Sequence, residues 1–330
     1  MDSEPYISVL VTAHYRKKYL LEAVRSALDQ TLPRNKYEVI VVKNFSDDTI
    51  DGKLKEWGVT SVLSSKEGVG GKLYDGLRLS VGNVVAPLED DDRFVFTRLQ
   101  RVHEQFSLGV DYFHNGRINV NEEGKEIGRE GHDLLIKTSE MNERKIRKII
   151  VNGMWYNASS IALKRTIIDQ ELLRKVSITP DVFLLHQALC RGEVIVDSPE
   201  LLTIYRIHSN NTRLANSVKE TLIKFSDATQ KNMSDELLMV ENGNQTSRFF
   251  AKYFLIREKL IFNSLPRTYL SSVPPQLTFS DLLLWLSYLF WRFRAPNYWA
   301  LLILPLLPER IKITIWRKKI EMELKRALTI

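Results

Sequence analysis

Within its first ninety residues the chain sets four apolar runs of strand length between helical patterns. The last run, residues 84–88, breaks off into four consecutive acids, Glu89, Asp90, Asp91 and Asp92. Strands separated by helices imply a mostly parallel sheet with right-handed crossovers. In such open sheets ligands bind at the carboxyl ends of the strands. A buried strand that surfaces in four acids therefore concentrates negative charge at the binding edge. At low dielectric those carboxylates repel one another unless a cation sits among them, and a divalent metal with oxygen ligands is the economical explanation. The alternative is a solvated acidic turn.

Taken in order, the run at 7–11 is followed by the polar turn Thr12-Ala-His-Tyr15 and by a helix with Leu20, Leu21, Val24, Ala27 and Leu28 on one face. Strands follow at 37–42 and 60–63, and the glycine-rich Glu67-Gly-Val-Gly-Gly71 opens a helix over 72–79. The glycines could cradle phosphate, although the run fits neither a Walker A nor a dinucleotide fingerprint. Leu99, Val102 and Phe106 predict a further helix. Residues 110–115 and 117–125 read as a strand pair with a glycine-containing turn, and the charged stretch 122–148 as the least constrained part, able to cover an acceptor. Asn152-Gly-Met-Trp-Tyr-Asn157 marks a buried or ligand-facing aromatic turn. Thr179-Pro-Asp181 opens a helix, with Pro in the first turn and the carboxylate near the positive end of the helix dipole. On that ground alone Asp181 could be a capping acid. No strained Gly-x-Ser-x-Gly turn is present, so a serine nucleophile is not indicated.

The 330 residues suffice for one large domain and an appendage, and the net charge of +7 favours an anionic partner: nucleic acid, a membrane surface or a phosphorylated substrate. The single cysteine, Cys190, forbids an intrachain disulfide and is expected as a small buried hydrophobe in a reducing compartment. The start carries no basic region followed by an apolar run, so a cytoplasmic location is expected. Beyond Val273-Pro-Pro275, apolar pieces at 282–291 and 298–307 fall short of the roughly 20 residues that cross a bilayer, and Arg292, Arg294 and Pro296 lie between them. In the last helix Ile313, Trp316, Ile320, Leu324 and Ala327 recur at helical spacing among Lys312, Arg317, Lys318, Lys319, Lys325 and Arg326. That pattern suits a helix lying on anionic lipid, or one packed on the rest of the protein. Basic residues beside apolar helices, not among aromatics on an exposed sheet, argue against nucleic acid. The expected division is an α/β catalytic domain at 1–216 and a helical, membrane-associating region at 217–330.

Ser8-Val-Leu-Val-Thr-Ala-His-Tyr-Arg-Lys-Lys-Tyr-Leu20, Ala27-Leu-Asp-Gln-Thr31, Tyr37-Glu-Val-Ile-Val-Val42 and Glu89-Asp-Asp-Asp92 resemble the successive blocks of the family 2 inverting glycosyltransferases of GT-A fold. The resemblance continues through Asn152-Gly-Met-Trp-Tyr156, Pro180-Asp181 and Tyr205-Arg-Ile-His-Ser-Asn-Asn-Thr212. It implies a nucleotide-diphospho-sugar lying over the carboxyl ends of the strands, with Mg²⁺ or Mn²⁺ held by a D-x-D element. By block alignment that element is Glu89-Asp90-Asp91, with Asp91 as the metal ligand, Glu89 and His208 beside it, and Asp90 toward the ribose or sugar. Thr12, Ala13, Tyr15, Lys43 and Lys72 fall where the family contacts the donor, and Asp181 where it has its general base. This chain departs from the family pattern at Lys43, where the base is commonly met by Asp, at Glu89 in place of the first Asp, at Lys72 in place of Arg, and at Pro180 in place of Glu. The acceptor expected is a lipid-linked glycan or polyprenol phosphate, reached from the inner face of the cell membrane. A nucleotide-sugar-binding or scaffolding protein without catalysis is the rival reading, motivated by those departures.

Overall fold

The computed structural model describes residues 6–208, 215, 217–270, 272–289 and 296–329, without the side chains of 296–298 and 323–329. The Ser209-to-Thr212 part of the resemblance, Arg292, Arg294 and the side chains of Leu324, Lys325, Arg326 and Ala327 lie outside it. The chain divides into two compact units, Met1–Ile207 and His208–Ile330.

The first unit begins β1 (Ile7–Ala13), α1 (Leu20–Leu28), β2 (Tyr37–Lys43), α2 (Asp48–Glu56), β3 (Thr60–Leu63), α3 (Val69–Leu79) and β4 (Val84–Glu89). All seven residues of β1 are buried, as a strand covered by helices on both faces requires. In α1 the buried residues Leu20, Ala23, Val24 and Ala27 recur at helical spacing against the sheet. Asp47 caps α2 by accepting from the Ile50 amide. The strands stand in the order β3-β2-β1-β4, all parallel, so the direction of chain travel across the sheet reverses between β1 and β4.

The sheet then continues through β5 (Arg93–Phe94), β6 (Tyr112–Val120), β7 (Glu126–Glu130), β8 (Leu134–Lys137), β9 (Ile161–Lys164) and β10 (Val194–Arg206). β9 bridges β4 and β6 antiparallel, β6 and β10 run parallel, and β5, β7 and β8 pair at the margins. The helices of this half are α4 (Arg98–Ser107), α5 (Glu143–Asn152), α6 (Gln170–Leu173) and α7 (Pro180–Arg191). The core lies where β1, β2 and β4 meet α1, α2 and α4, with Val9, Val11, Val24, Val41, Leu99 and Phe106 among its members.

Two expectations are corrected here. The turn expected at Gly116 is the middle of β6. A Cβ there would stand 2.8 Å from the Glu130 carbonyl oxygen and 3.0 Å from that of Pro199, so the glycine admits neighbouring backbones and the true turn lies at 121–125. Cys190 is half-buried, not fully enclosed.

The second unit holds α8 (Val218–Glu241), α9 (Gln245–Ser264), α10 (Phe279–Leu289), α11 (Pro296–Ile303) and α12 (Glu309–Thr329). Trp316 and Ile320 of α12 are buried with Leu222 of α8 and Leu265, and the Trp316 indole N–H donates to the Ser264 carbonyl at 2.8 Å. The α12 face expected to meet lipid is thus spent on the unit's own core at these positions. Trp285 of α10 stacks on Tyr253 of α9 with ring centroids 5.6 Å apart. Among the described residues no helix is long and apolar enough to cross a membrane.

Candidate active site

In parallel sheets ligands bind outside the carboxyl ends of the strands where the strand order reverses, here between β1 and β4. The register sets Thr12 opposite Glu89 across that junction, and Ala13 opposite Lys43 on the other side of β1. The loop after β1 and the acid tip of β4 therefore face one another by construction.

Asp90, Asp91 and Asp92 are buried and Glu89 half-buried. One carboxylate oxygen from each of Glu89, Asp91 and Asp92 lies within 4.8 Å of the others. Burial, then Asp91, Asp92 and Asp181, drives the Glu89 carboxyl well above its ordinary range. Burial raises Asp90 to about 7 against the pull of Arg16, and burial with the charge of Asp91 raises Asp92 to about 7. Such a group of acids resists full ionisation at neutral pH beyond what Arg16 offsets, so added positive charge among them would be favourable. A hard oxygen donor set, with Asp92 Oδ2 buried and lacking a hydrogen-bond partner, fits Mg²⁺ or Mn²⁺ held by Glu89, Asp91 and Asp92.

Two arginines organise the tip. Arg16, in the loop after β1, reaches Asp90 Oδ1 at 2.6 Å through Nη2 and Asp91 Oδ2 at 2.5 Å through Nη1. Burial alone would lower its pKa, but Asp91, Asp90 and Glu89 together hold it above the ordinary value. Arg206, at the end of β10, donates from its backbone to Asp92 Oδ1 at 3.0 Å and from Nε to the Asp91 carbonyl at 3.2 Å. Its remaining nitrogens bind the Glu122 carbonyl and Glu22 Oε2, and its guanidinium lies 4.2 Å from the Tyr19 ring centroid. So fixed, Arg206 locks the tip against α1 and the turn after β6.

Asp181 stands in the first turn of α7 and accepts from the Val182 amide at 2.9 Å. Its charge is among the causes that raise Glu89, Tyr112 and Tyr156, so it belongs to the same electrostatic neighbourhood as the tip. The glycine-rich loop positions this helix. The Val69 and Gly70 amides donate to the Ser177 and Val176 carbonyls, and a Cβ on Gly70 would lie 2.1 Å from the Leu173 oxygen. The space around these glycines is filled by the segment that leads to Asp181.

An aromatic wall flanks the tip. The Tyr156 and Tyr205 hydroxyls are 3.1 Å apart, and Arg117 lies 4.4 Å from the Tyr156 ring centroid. Tyr205 immediately precedes Arg206, which places this wall beside Asp92. His114 steadies it from behind. Its Nε2 meets the Tyr156 carbonyl at 3.0 Å, while Nδ1 meets buried Asp197 at 2.7 Å.

The donor residues expected from the sequence are distributed as follows. Thr12 and Ala13 end β1 at the junction, and Tyr15, at φ 54°, turns its ring outward. Lys43 Nζ is engaged by Asp51 at 2.8 Å and the Phe45 carbonyl at 2.7 Å. Lys72 Nζ donates to the Lys66 and Glu67 carbonyls, tying down the glycine-rich loop. Glu89, Asp90 and Asp91 are brought together at the tip with Asp92, which the sequence reading did not include as a ligand. His208 is a buried residue that opens the second unit. Arg16, Arg206 and Tyr205 were not singled out, although all three stand inside the blocks that carry the resemblance.

A mostly parallel central sheet with an acid cluster at its order reversal is the arrangement of the GT-A fold. The family model described as glycosyl transferase family 2 matches residues 8–175, half of the chain. The chain belongs to that family and is a glycosyltransferase. Among solved structures it is similar to S. aureus TarS 1–349 in complex with UDP-GlcNAc, at 17% identity over 97% of this chain and 92% of that one, with a TM-score of 0.55. Longer TarS gives 16% identity over 96% of this chain but 55% of that chain, with a TM-score of 0.53, so the present chain spans about half its length. The mannosyltransferase PcManGT from Pyrobaculum calidifontis, in complex with GDP-Man and Mn²⁺, gives 14% identity over 93% of this chain and 87% of that one, with a TM-score of 0.50. At these identities the likeness is one of fold. No curated protein matches the chain by sequence.

Proposed function

We propose that the chain is a metal-dependent inverting glycosyltransferase that moves a sugar from a nucleotide-diphospho-sugar to a membrane-associated acceptor, a lipid-linked glycan or polyprenol phosphate. The observation that carries this reading is the convergence of Glu89, Asp91 and Asp92 at the switch point, with Asp181 close enough to raise Glu89. A divalent ion held there supplies positive charge to neutralise a departing diphosphate. Thr12 and Ala13 border the donor from the end of β1 and Tyr15 from the loop after it, and Asp90 faces its ribose or sugar.

Where the acceptor is a glycan hydroxyl, Asp181 takes its proton as the oxygen attacks the anomeric carbon from the face opposite the diphosphate; a polyprenol phosphate is already ionised and needs no base. The new C–O bond forms as the bond to the diphosphate breaks, and the nucleoside diphosphate leaves with the bonding pair. The Tyr156–Tyr205 wall offers aromatic faces and hydroxyls to the acceptor beside the reacting centre. His208 is retained as a candidate further ligand. The domains act as a catalytic unit at 1–216 and a helical region at 217–330 that rests on anionic lipid at the inner face of the cell membrane, on the cytoplasmic side.

The test is hydrolysis of donor sugars by the purified protein. Turnover is expected only with Mg²⁺ or Mn²⁺, and Asp91→Asn is expected to lower it by about 100-fold or more, the scale of losing a major electrostatic stabiliser. Equal turnover in chelator, or in Asp91→Asn, removes the mechanism. A thermal-shift screen of UDP-, GDP- and TDP-sugars with Mn²⁺ identifies the base, since ligand at 100 times its dissociation constant stabilises by about 2.7 kcal/mol.

A further inference from the structure

Several cations line the loops around the tip, and they differ in how they are committed. Lys17 pairs with Asp47 at 2.8 Å and Lys18 with Glu122 at 3.2 Å. Lys43 and Lys72 turn inward to Asp51 and to backbone carbonyls. Arg206 is caged on all sides of its guanidinium. Arg16 alone among these combines contact with the acid tip and a side chain that is 35% exposed. The backbone just before it is pinned, with the His14 amide donating to Asp90 Oδ2 at 3.3 Å and the Tyr15 amide to Asn44 Oδ1 at 2.9 Å. With the backbone pinned and the side chain 35% exposed, a change of side-chain rotamer can move the guanidinium without disturbing the loop.

The oxygen that Arg16 holds on Asp91 belongs to a carboxylate that a divalent ion needs. A guanidinium and a metal ion cannot share that oxygen without strong like-charge repulsion, so the two compete for it. The fork that bridges two carboxylates also fits two phosphate oxygens. We infer that Arg16 is a diphosphate-binding residue of the donor site: its guanidinium holds Asp90 and Asp91 in the metal-free protein and exchanges them for the donor's diphosphate when the metal binds. This rests on the proposed metal-dependent reading of the same site.

The inference makes two predictions of opposite sign for Arg16→Gln. Without nucleotide, Mn²⁺ binding followed by electron paramagnetic resonance is expected to tighten by about tenfold, because the competitor is gone. At saturating Mn²⁺, calorimetric binding of UDP or GDP, whichever the wild type takes, is expected to weaken by about tenfold. Arg16→Lys, which keeps the charge but not the fork, is expected to fall between wild type and Arg16→Gln in both assays. Unchanged Mn²⁺ affinity, or unchanged nucleotide affinity, in a folded Arg16→Gln overturns the inference. Asp91→Asn is the separate control. If it keeps wild-type Mn²⁺ binding, or if wild type binds neither nucleotide, the metal-dependent reading itself fails; if it loses Mn²⁺ while Arg16→Gln matches wild type, only the role of Arg16 fails.

Discussion

At the scale of single residues the account turns on where charge is placed and what restrains it. Asp181 owes its position to Pro180, which pre-sets the first turn of α7, and its carboxylate stands at the positive end of that helix. As a base it is expected to act on the acceptor and not on the donor. Asp181→Asn should lower transfer turnover by about 10²- to 10⁴-fold, while Mn²⁺ and nucleotide affinities measured by calorimetry stay at the wild-type level. Weakened donor binding with transfer intact would instead mark Asp181 as a structural cap. The acids and Asp181 were legible in the sequence because each announces itself locally, four acids at the end of one strand and one acid behind a proline. The arginines were not, because their meaning lies in partners 75 positions away for Arg16 and 115 for Arg206. No local pattern encodes such distances.

The alternation over the first ninety residues foretold β1 to β4 with α1 and α3, since buried parallel strands and one-sided helices leave different apolar periods, while the short polar α2 was not read. The glycine-rich loop left its purpose open in the sequence, since glycine marks any close backbone approach, and at Gly68 and Gly70 that approach is by residues 173–177. The same geometry links this loop to Asp181. Gly70→Ala must push the Leu173 backbone aside, at a cost of about 1–3 kcal/mol typical of overpacking. A lower melting temperature together with reduced transfer is expected, measured by calorimetry and turnover. Full stability in Gly70→Ala would show that α3 and the segment before α7 are not locked together.

For the molecule as a whole, the family match covers residues 8–175, and the helical unit from His208 onward lies beyond it. The net charge of +7 sets a basic background. Within the second unit Phe279 and Leu283 are exposed one turn apart on α10, and Ile303 and Leu306 are exposed near α11. Arg310, Arg317, Lys318 and Lys319 of α12 are also exposed. Apolar and basic side chains left at the surface are what binding to anionic lipid requires. Flotation with phosphatidylglycerol vesicles is expected to carry the protein upward at low salt, and Phe279→Asp with Leu283→Asp should weaken this by about tenfold or more. Flotation indifferent to both substitutions would assign these surfaces another role. The sequence suggested lipid contact through Trp316 and Ile320. Helical spacing identifies an apolar face without saying what covers it, and Leu222 and Leu265 cover this one.

The claim on which the rest depends is that the end of β4 holds a divalent ion. An anomalous difference map from crystals grown with Mn²⁺ and the nucleoside diphosphate selected by thermal shift tests it most directly. The account predicts a single strong peak bounded by carboxylate oxygens of Glu89, Asp91 and Asp92 and by the diphosphate, with Arg16 moved from Asp91. A bound nucleotide with no peak at that position, and Arg16 still paired to both aspartates, would contradict it.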